Sequence, residues 1–374
     1  MHVLLAPDCF KGSATATEVI EAIAAGWRDV RPNDQLTPRP FADGGEGTLQ
    51  VIATARQTAI WHHTPVTGPD GRPVVAMWLM LEDNTAVIEL AAAGGLPLMA
   101  ELNALSASTY GVGELIAAAL DGGAQRIVLA LGGSASTDGG AGALQALGAQ
   151  LLDDHGRVIE RGGGALAALD RVDLTRLRPP PPRGVDCLVD VRSPLIGPSG
   201  AAEAFGPQKG ASPHDVRRLE DGLTRLAHFL GGDRTEPGSG AAGGTAYGFA
   251  AAWGARLVDG APAVAELTGV DSILPDVDVI VTGEGRFDVT SRRGKVVGYW
   301  IDMADRKGIP LVLIAGDITV PVPSGVITTV SLTQLANSGR EARKNPSQWL
   351  RIAGTMAARA LDASPGRNAP LDTE

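Results

Sequence analysis

The residues of this 374-residue chain best placed to do chemistry are acids and lysines set into glycine-rich turns. Leu131-Gly132-Gly133-Ser134-Ala135-Ser136-Thr137-Asp138-Gly139-Gly140-Ala141-Gly142 follows an apolar run over residues 127–131 and precedes a helical pattern over 143–147. A strand, a hydroxyl-bearing glycine loop and a helix start together make an anion site. The first N–H groups of a helix lack partners, its dipole favours negative charge, and glycine lets the backbone come close. Taken alone, the same loop is equally a tight strand-to-helix turn.

Other segments repeat the pattern. Asp8 and Lys11 follow the apolar residues 2–6, Asp43 and Glu46 lie in Ala42-Asp43-Gly44-Gly45-Glu46-Gly47-Thr48, and Asp190 ends the apolar run 185–189. Glu284 and Asp288 lie in Thr282-Gly283-Glu284-Gly285-Arg286-Phe287-Asp288. Carboxylate oxygens in such loops suit Mg²⁺, which takes one or two protein carboxylates with water and substrate phosphate oxygens. Lys11, Lys209 and Lys295 can neutralise transferring phosphate oxygens.

These loops need elements to hold them. Residues 2–6 read as a strand, and Thr15 with Glu18 three positions on reads as a capping box. Val19, Ile20, Ile23, Ala24 and Trp27 then share one helical face. A second strand over 35–41 leads to a helix through Leu49 and Ile52. Residues 74–81 and 85–91 read as two strands joined at Glu82-Asp83-Asn84, a hairpin foreign to a βαβ series. Ser212-Pro213 opens a helix with Val216, Leu219, Leu223, Leu226 and Leu230 on its core face. Strands over 277–281 and 311–315, with helices over 295–307 and 346–361, restore the α/β alternation, and the tail after Asp362 reads as frayed. The pattern predicts a discontinuous first domain, 1–65 plus 275–374, with a second, mixed-sheet α/β domain over 66–274 inserted. Ligands of open parallel sheets bind beyond the carboxyl ends of the strands, where Asp8, Asp43, Asp190 and Glu284 are expected.

Composition narrows the classes. A net charge of −10 and scattered basic residues oppose nucleic-acid binding, which needs clustered Lys and Arg. Aromatic content of 4% gives no stacking platform. Two cysteines without metal spacing fit a reducing cytoplasm. The start has no basic leader, and no apolar run approaches the ~20 residues of a membrane span, so a soluble cytoplasmic chain without a membrane partner is expected. No GxxxxGK[ST], HExxH or GxSxG occurs. Gly238-Ser239-Gly240-Ala241-Ala242-Gly243 matches GxGxxG, yet a loop-like stretch precedes it where a dinucleotide fold needs a strand.

In these motifs the chain resembles the bacterial type I glycerate kinases over nearly its whole length. The matching segments are Ala6-Pro7-Asp8-Cys9-Phe10-Lys11-Gly12-Ser13, residues 42–48 and 132–142, Asp190-Val191 with Pro194-Leu195, Phe205-Gly206-Pro207-Gln208-Lys209-Gly210-Ala211, Ala241-Ala242-Gly243-Gly244, Thr282-Gly283-Glu284-Gly285-Arg286 and Gly294-Lys295. Members usually carry serine where this chain has Cys9 and asparagine where it has Ser193. The resemblance implies ATP- and Mg²⁺-dependent phosphorylation of D-glycerate. It also implies two α/β domains, one flavodoxin- or Rossmann-like, with the active site in the cleft between them.

On that footing Asp190 is assigned to orient or deprotonate the attacking hydroxyl, with Asp8 a further catalytic candidate. Lys11 and Lys209 neutralise phosphate charge, and Asp43, Glu46, Glu284 and Asp288 are the metal candidates. Arg286 grips the glycerate carboxylate. Gly133, Ser134, Ser136, Thr137, Asp138 and Gly139 cradle substrate or phosphate. The 2-hydroxyl is the favoured acceptor and the 3-hydroxyl the alternative. An NAD(P)-dependent dehydrogenase of a small hydroxy acid, or a non-catalytic sugar-acid-binding protein, are the readings from other classes. Oligomeric state is not legible.

Overall fold

Alternating apolar runs and helices at the two ends of the chain build one parallel sheet, and the stretch between them builds another that is mixed. The computed structural model describes residues 1–292 and 294–362, so the tail after Asp362 lies outside the described residues. Two compact units result: Met1–Ala42 with Gly269–Glu374, and Asp43–Thr268.

The first unit holds a five-stranded sheet in the order Val326–Ser331, Leu311–Ala315, Val279–Glu284, His2–Leu5, Gln35–Pro38, every neighbouring pair parallel. Numbered within the unit, that order is 2-1-3-4-5, the flavodoxin-like arrangement, with its switch point between His2–Leu5 and Val279–Glu284. The helix Ala16–Arg28 starts at the capping box expected from sequence: the Glu18 N–H donates to Thr15 Oγ1 at 3.3 Å, and Glu18 Oε2 accepts from the Thr15 N–H at 2.8 Å. Its apolar face is buried, Trp27 completely. The last helix, Pro346–Asp362, packs on it, with the Thr355 hydroxyl donating to the Gly26 carbonyl at 3.0 Å.

The second unit holds a six-stranded sheet in the order Arg256–Asp259, Val185–Val189, Arg126–Ala130, Thr85–Glu89, Pro73–Met80, Ile60–Thr67. The first four strands are mutually parallel and the last two run antiparallel. This is the mixed sheet expected from the hairpin signal. Residues 43–65, expected in the first domain, belong here instead. Ile60–Thr67 pairs with Pro73–Met80 along its full length, and the helix Thr48–Ala55 packs over the same sheet. The return to the first unit comes at Gly269. Among the described residues no helix is long and apolar enough to cross a membrane.

Candidate active site

In the first unit the chemistry gathers where strands leave the switch point. Asp8 lies beyond His2–Leu5, and its N–H donates to the Gly283 carbonyl at 2.8 Å. Glu284, expected in a loop, is the last residue of Val279–Glu284, because the strand continues in register until Glu284 faces Ala315. Its side chain is buried, whereas Arg286, two residues on, and Lys11, after the neighbouring strand, are exposed. Asp288, expected as a metal ligand, closes a turn: Oδ1 accepts from the Thr290 N–H at 2.8 Å and the Thr290 hydroxyl at 2.7 Å. That hydroxyl chiefly holds the Asp288 carboxyl below its usual range, with Lys295 and Arg286 adding to the effect. Asp317 is an acid the sequence reading missed. It follows Leu311–Ala315, and its carbonyl accepts the Phe287 N–H at 2.8 Å. A strand end running into Gly316-Asp317 was the available signal.

In the second unit the loop 132–142 takes a different shape from the open cradle expected. It leads into a six-residue helix, Ala141–Ala146, whose start is already served by the chain's own anion. Asp138 is fully buried; Oδ1 accepts from the Gly140 N–H at 3.2 Å. Oδ2 accepts from the Gly142 N–H at 3.2 Å and from both the N–H and the hydroxyl of Thr109 at 2.9 Å. Four donors use the capacity of a carboxylate. Asp138 therefore shapes the loop. Burial raises its carboxyl, while the bonds from Thr109, Gly142 and Gly140 pull the other way. Gly139 is structural too, its N–H donating to the Gly243 carbonyl at 2.9 Å.

Lys209 ends the turn Pro207–Lys209 with its side chain buried, and Nζ donates to the Ser136 carbonyl. Burial lowers this ammonium to about 8, and the Asp138 charge pulls it back up. The Ser134 and Ser136 hydroxyls bond each other at 3.2 Å, and the Ser136 N–H donates to Ser134 Oγ at 3.2 Å. The Thr137 hydroxyl is buried and, among the described residues, has no hydrogen-bond partner. Such an orphan costs roughly 1–3 kcal/mol, which makes it a group waiting for an acceptor or donor. Gly133 is exposed at the loop's mouth.

Against this loop packs the segment that matches GxGxxG. No strand precedes it. Ala242, Gly243 and Gly244 are three consecutive left-handed residues at the head of Ala241–Trp253. A Cβ on Gly243 would fall 2.1 Å from the Ser136 carbonyl oxygen, so glycine is required there. The segment thus builds the wall behind Ser136 and Thr137, which removes the dinucleotide site on which the dehydrogenase reading depended.

Asp190 directly follows Val185–Val189 and is half-buried. The turn after it is held by the Gly238 and Gly240 N–H groups, which donate to the Ser193 carbonyl at 3.2 and 2.9 Å. Asp43 is buried, and its backbone lies against Gly260; Glu46 is exposed. The four expected metal candidates thus divide, Asp43 and Glu46 in the second unit, Glu284 and Asp288 in the first. Among the described residues no three His, Cys, Asp or Glu side chains gather as a ready-made metal nest.

Comparison with known proteins places these features in a family context. The profile of the glycerate kinase family matches residues 3–362. Glycerate 2-kinase of Escherichia coli strain K12 is 40% identical over 331 residues, spanning 85% of this chain and 86% of that protein. Glycerate kinase of Bacillus subtilis strain 168 is 42% identical over the same coverage. A crystal structure from Salmonella typhimurium LT2, carrying the provisional designation glycerate kinase 2, superposes with a TM-score of 0.81 at 36% identity, covering 97% of this chain and 98% of that one.

Proposed function

The chain belongs to the glycerate kinase family and is a kinase, and from that premise we propose that it transfers the γ-phosphoryl group of ATP to the 2-hydroxyl of D-glycerate, giving 2-phospho-D-glycerate and ADP. The observation that carries the reading is the 331-residue similarity to proteins named for this activity, one of them a 2-kinase. The buried ammonium of Lys209 supports it from within the structure.

In this reading the Asp190 carboxylate accepts the proton of the attacking hydroxyl as its oxygen bonds to the γ-phosphorus. The bond from that phosphorus to the bridging oxygen breaks, and ADP leaves with the electron pair. The Lys209 ammonium, desolvated and fixed by the Ser136 carbonyl, holds a positive charge where equatorial phosphoryl oxygens can use it. The Thr137 hydroxyl offers those oxygens or the substrate an unspent donor. Lys11 and Arg286, exposed at the strand ends of the first unit, suit the phosphate and carboxylate oxygens of the ligands.

The donor set also fits Mg²⁺. In the first unit Glu284, at a strand end, and Asp8, just beyond the neighbouring strand, are two hard-oxygen carboxylates, the number Mg²⁺ takes beside water and phosphate, and Asp43 is a separate buried carboxylate of the second unit. When bound, the ion supplies neutralisation of the phosphate chain. A cytoplasmic location fits a chain acting on these soluble metabolites.

An enolase-coupled assay on D-glycerate and ATP tests the reading. Signal without added phosphoglycerate mutase shows the 2-phosphate, signal only with mutase shows the 3-phosphate, and no ADP formation with glycerate rejects the activity itself.

A further inference from the structure

We propose that Glu89 is a positioning residue for this reaction, fixing the loop 43–49 so that Asp43 is presented to the metal-bound phosphates; the proposal rests on the kinase reading above. Glu89 is the last residue of Thr85–Glu89 and lies opposite Ala130, the end of the strand that feeds the loop 132–142. Its side chain turns toward a different loop. Oε1 accepts the Leu49 N–H at 2.8 Å, and the nearby N–H groups of Gly47 and Thr48 favour its charged form. Leu49 carries one of the opening N–H groups of Thr48–Ala55, whose own cap, Gly47, has no side chain to satisfy it.

The rest of the loop is held by backbone and by its own threonine. The Gly132 N–H donates to the Gly44 carbonyl at 3.1 Å, and the Thr48 hydroxyl donates to the Gly45 carbonyl at 2.7 Å. At Gly260 a Cβ would fall 1.7 Å from the Asp43 carbonyl oxygen, so that approach tolerates only glycine. Asp43 is thus clamped from one side by close backbone contact, while the helix start at the far end of its loop is tied by a carboxylate from a neighbouring strand. Burial, joined by the nearby Glu46 charge, pushes the Glu89 carboxyl up to about 7 against the bond from Leu49. A group so costly to bury is well suited to aim a loop and poorly suited to serve only as filling.

Two substitutions separate geometry from charge: Glu89→Gln keeps an acceptor oxygen, and Glu89→Ala removes it. Amide exchange of Leu49 in the metal-free protein is followed beside a Mg²⁺ titration of turnover and the KM for glycerate. In Glu89→Ala the Leu49 amide exchanges faster and the half-saturating Mg²⁺ rises about 10-fold or more, the loss usual for an outer-shell partner, while the KM for glycerate stays within about twofold. Glu89→Gln restores both readouts. An unmoved Mg²⁺ titration in Glu89→Ala, or a Gln variant as impaired as the Ala variant, overturns the proposal. Should the Ala variant fail to fold, Glu89→Asp, which withdraws the acceptor, is held to the same criterion. Asp43→Asn distinguishes the two levels: a shifted titration there with none in the Glu89 variants rejects Glu89 alone, and no shift in Asp43→Asn rejects the role of Asp43 and the positioning proposal with it.

Discussion

Residues 282–288 of the first unit and 132–142 of the second each bring glycines and acids to the end of an apolar strand. Their side chains go opposite ways. The first keeps Arg286 exposed, and Asp288 spends its carboxylate on a turn two residues long. The second turns its acid inward, where Asp138 collects four hydrogen bonds from three other residues, and draws the buried Lys209 onto a loop carbonyl. What decides between them is the material behind each loop. Residues 132–142 are backed by Thr109 and by the left-handed segment 242–244, so desolvated charges must find partners. One loop presents its charge and the other is built from it.

The strongest way to break this contrast is to remove the inner charge. Lys209→Met lowers kcat about 10³-fold, the scale of losing a preorganised charge in a dry site, whereas Arg286→Ala costs about 10-fold, chiefly in the KM for glycerate. Steady-state kinetics that rank the two the other way would reverse the comparison. Asp138→Asn comes next: it strips charge from a saturated buried acceptor and costs about 2–4 kcal/mol in urea unfolding. Asp288→Asn, on the half-buried outer turn, stays within about 0.5 kcal/mol.

pH sharpens the contrast further. With its folded value near 8, Lys209 loses its proton as pH rises through that point, so turnover acquires an alkaline limb there. The unfolded ammonium holds its proton to about 10.5, so between about 8 and 10.5 the unfolded state binds more protons and the lysine's contribution to stability rises. Activity and stability should therefore move in opposite directions across that window, and Lys209→Met should abolish the stability slope. A change of opposite sign is expected at Ala242, left-handed at φ 52°. Ala242→Gly relieves the Cβ clash of that conformation and should gain roughly 1 kcal/mol by the same denaturation measurement.

Local signals in the sequence were read well where the physics is local. The Thr15–Glu18 box, the helix opened by Ser212-Pro213 and the strand Leu311–Ala315 all depend on near neighbours. The strand-end placing of Asp190 and the pairing of lysines with glycine loops were legible for the same reason. Other features depend on distant partners. Glu284 is a strand residue because Ala315 lies opposite it, and Asp138 is saturated because Thr109 arrives from 29 residues away. The contact of Lys209 with Ser136 spans 73 residues. Glycine-rich spacing reports that backbone can come close; it does not report whether a ligand or the chain itself will fill the space.

One further consequence follows from the departure of the chain at Ala42 and its return at Gly269. In the central pair of the parallel sheet, Val3 stands opposite Val279. During synthesis His2–Leu5 must wait until Val279–Glu284 has been made before that pairing can form. The uninterrupted segment Asp43–Thr268 has every strand of its own sheet by then and is free to fold first. Closing so long a loop becomes far easier once the intervening residues are compact. The fold thus favours compaction of Asp43–Thr268 before His2–Leu5 pairs with Val279–Glu284.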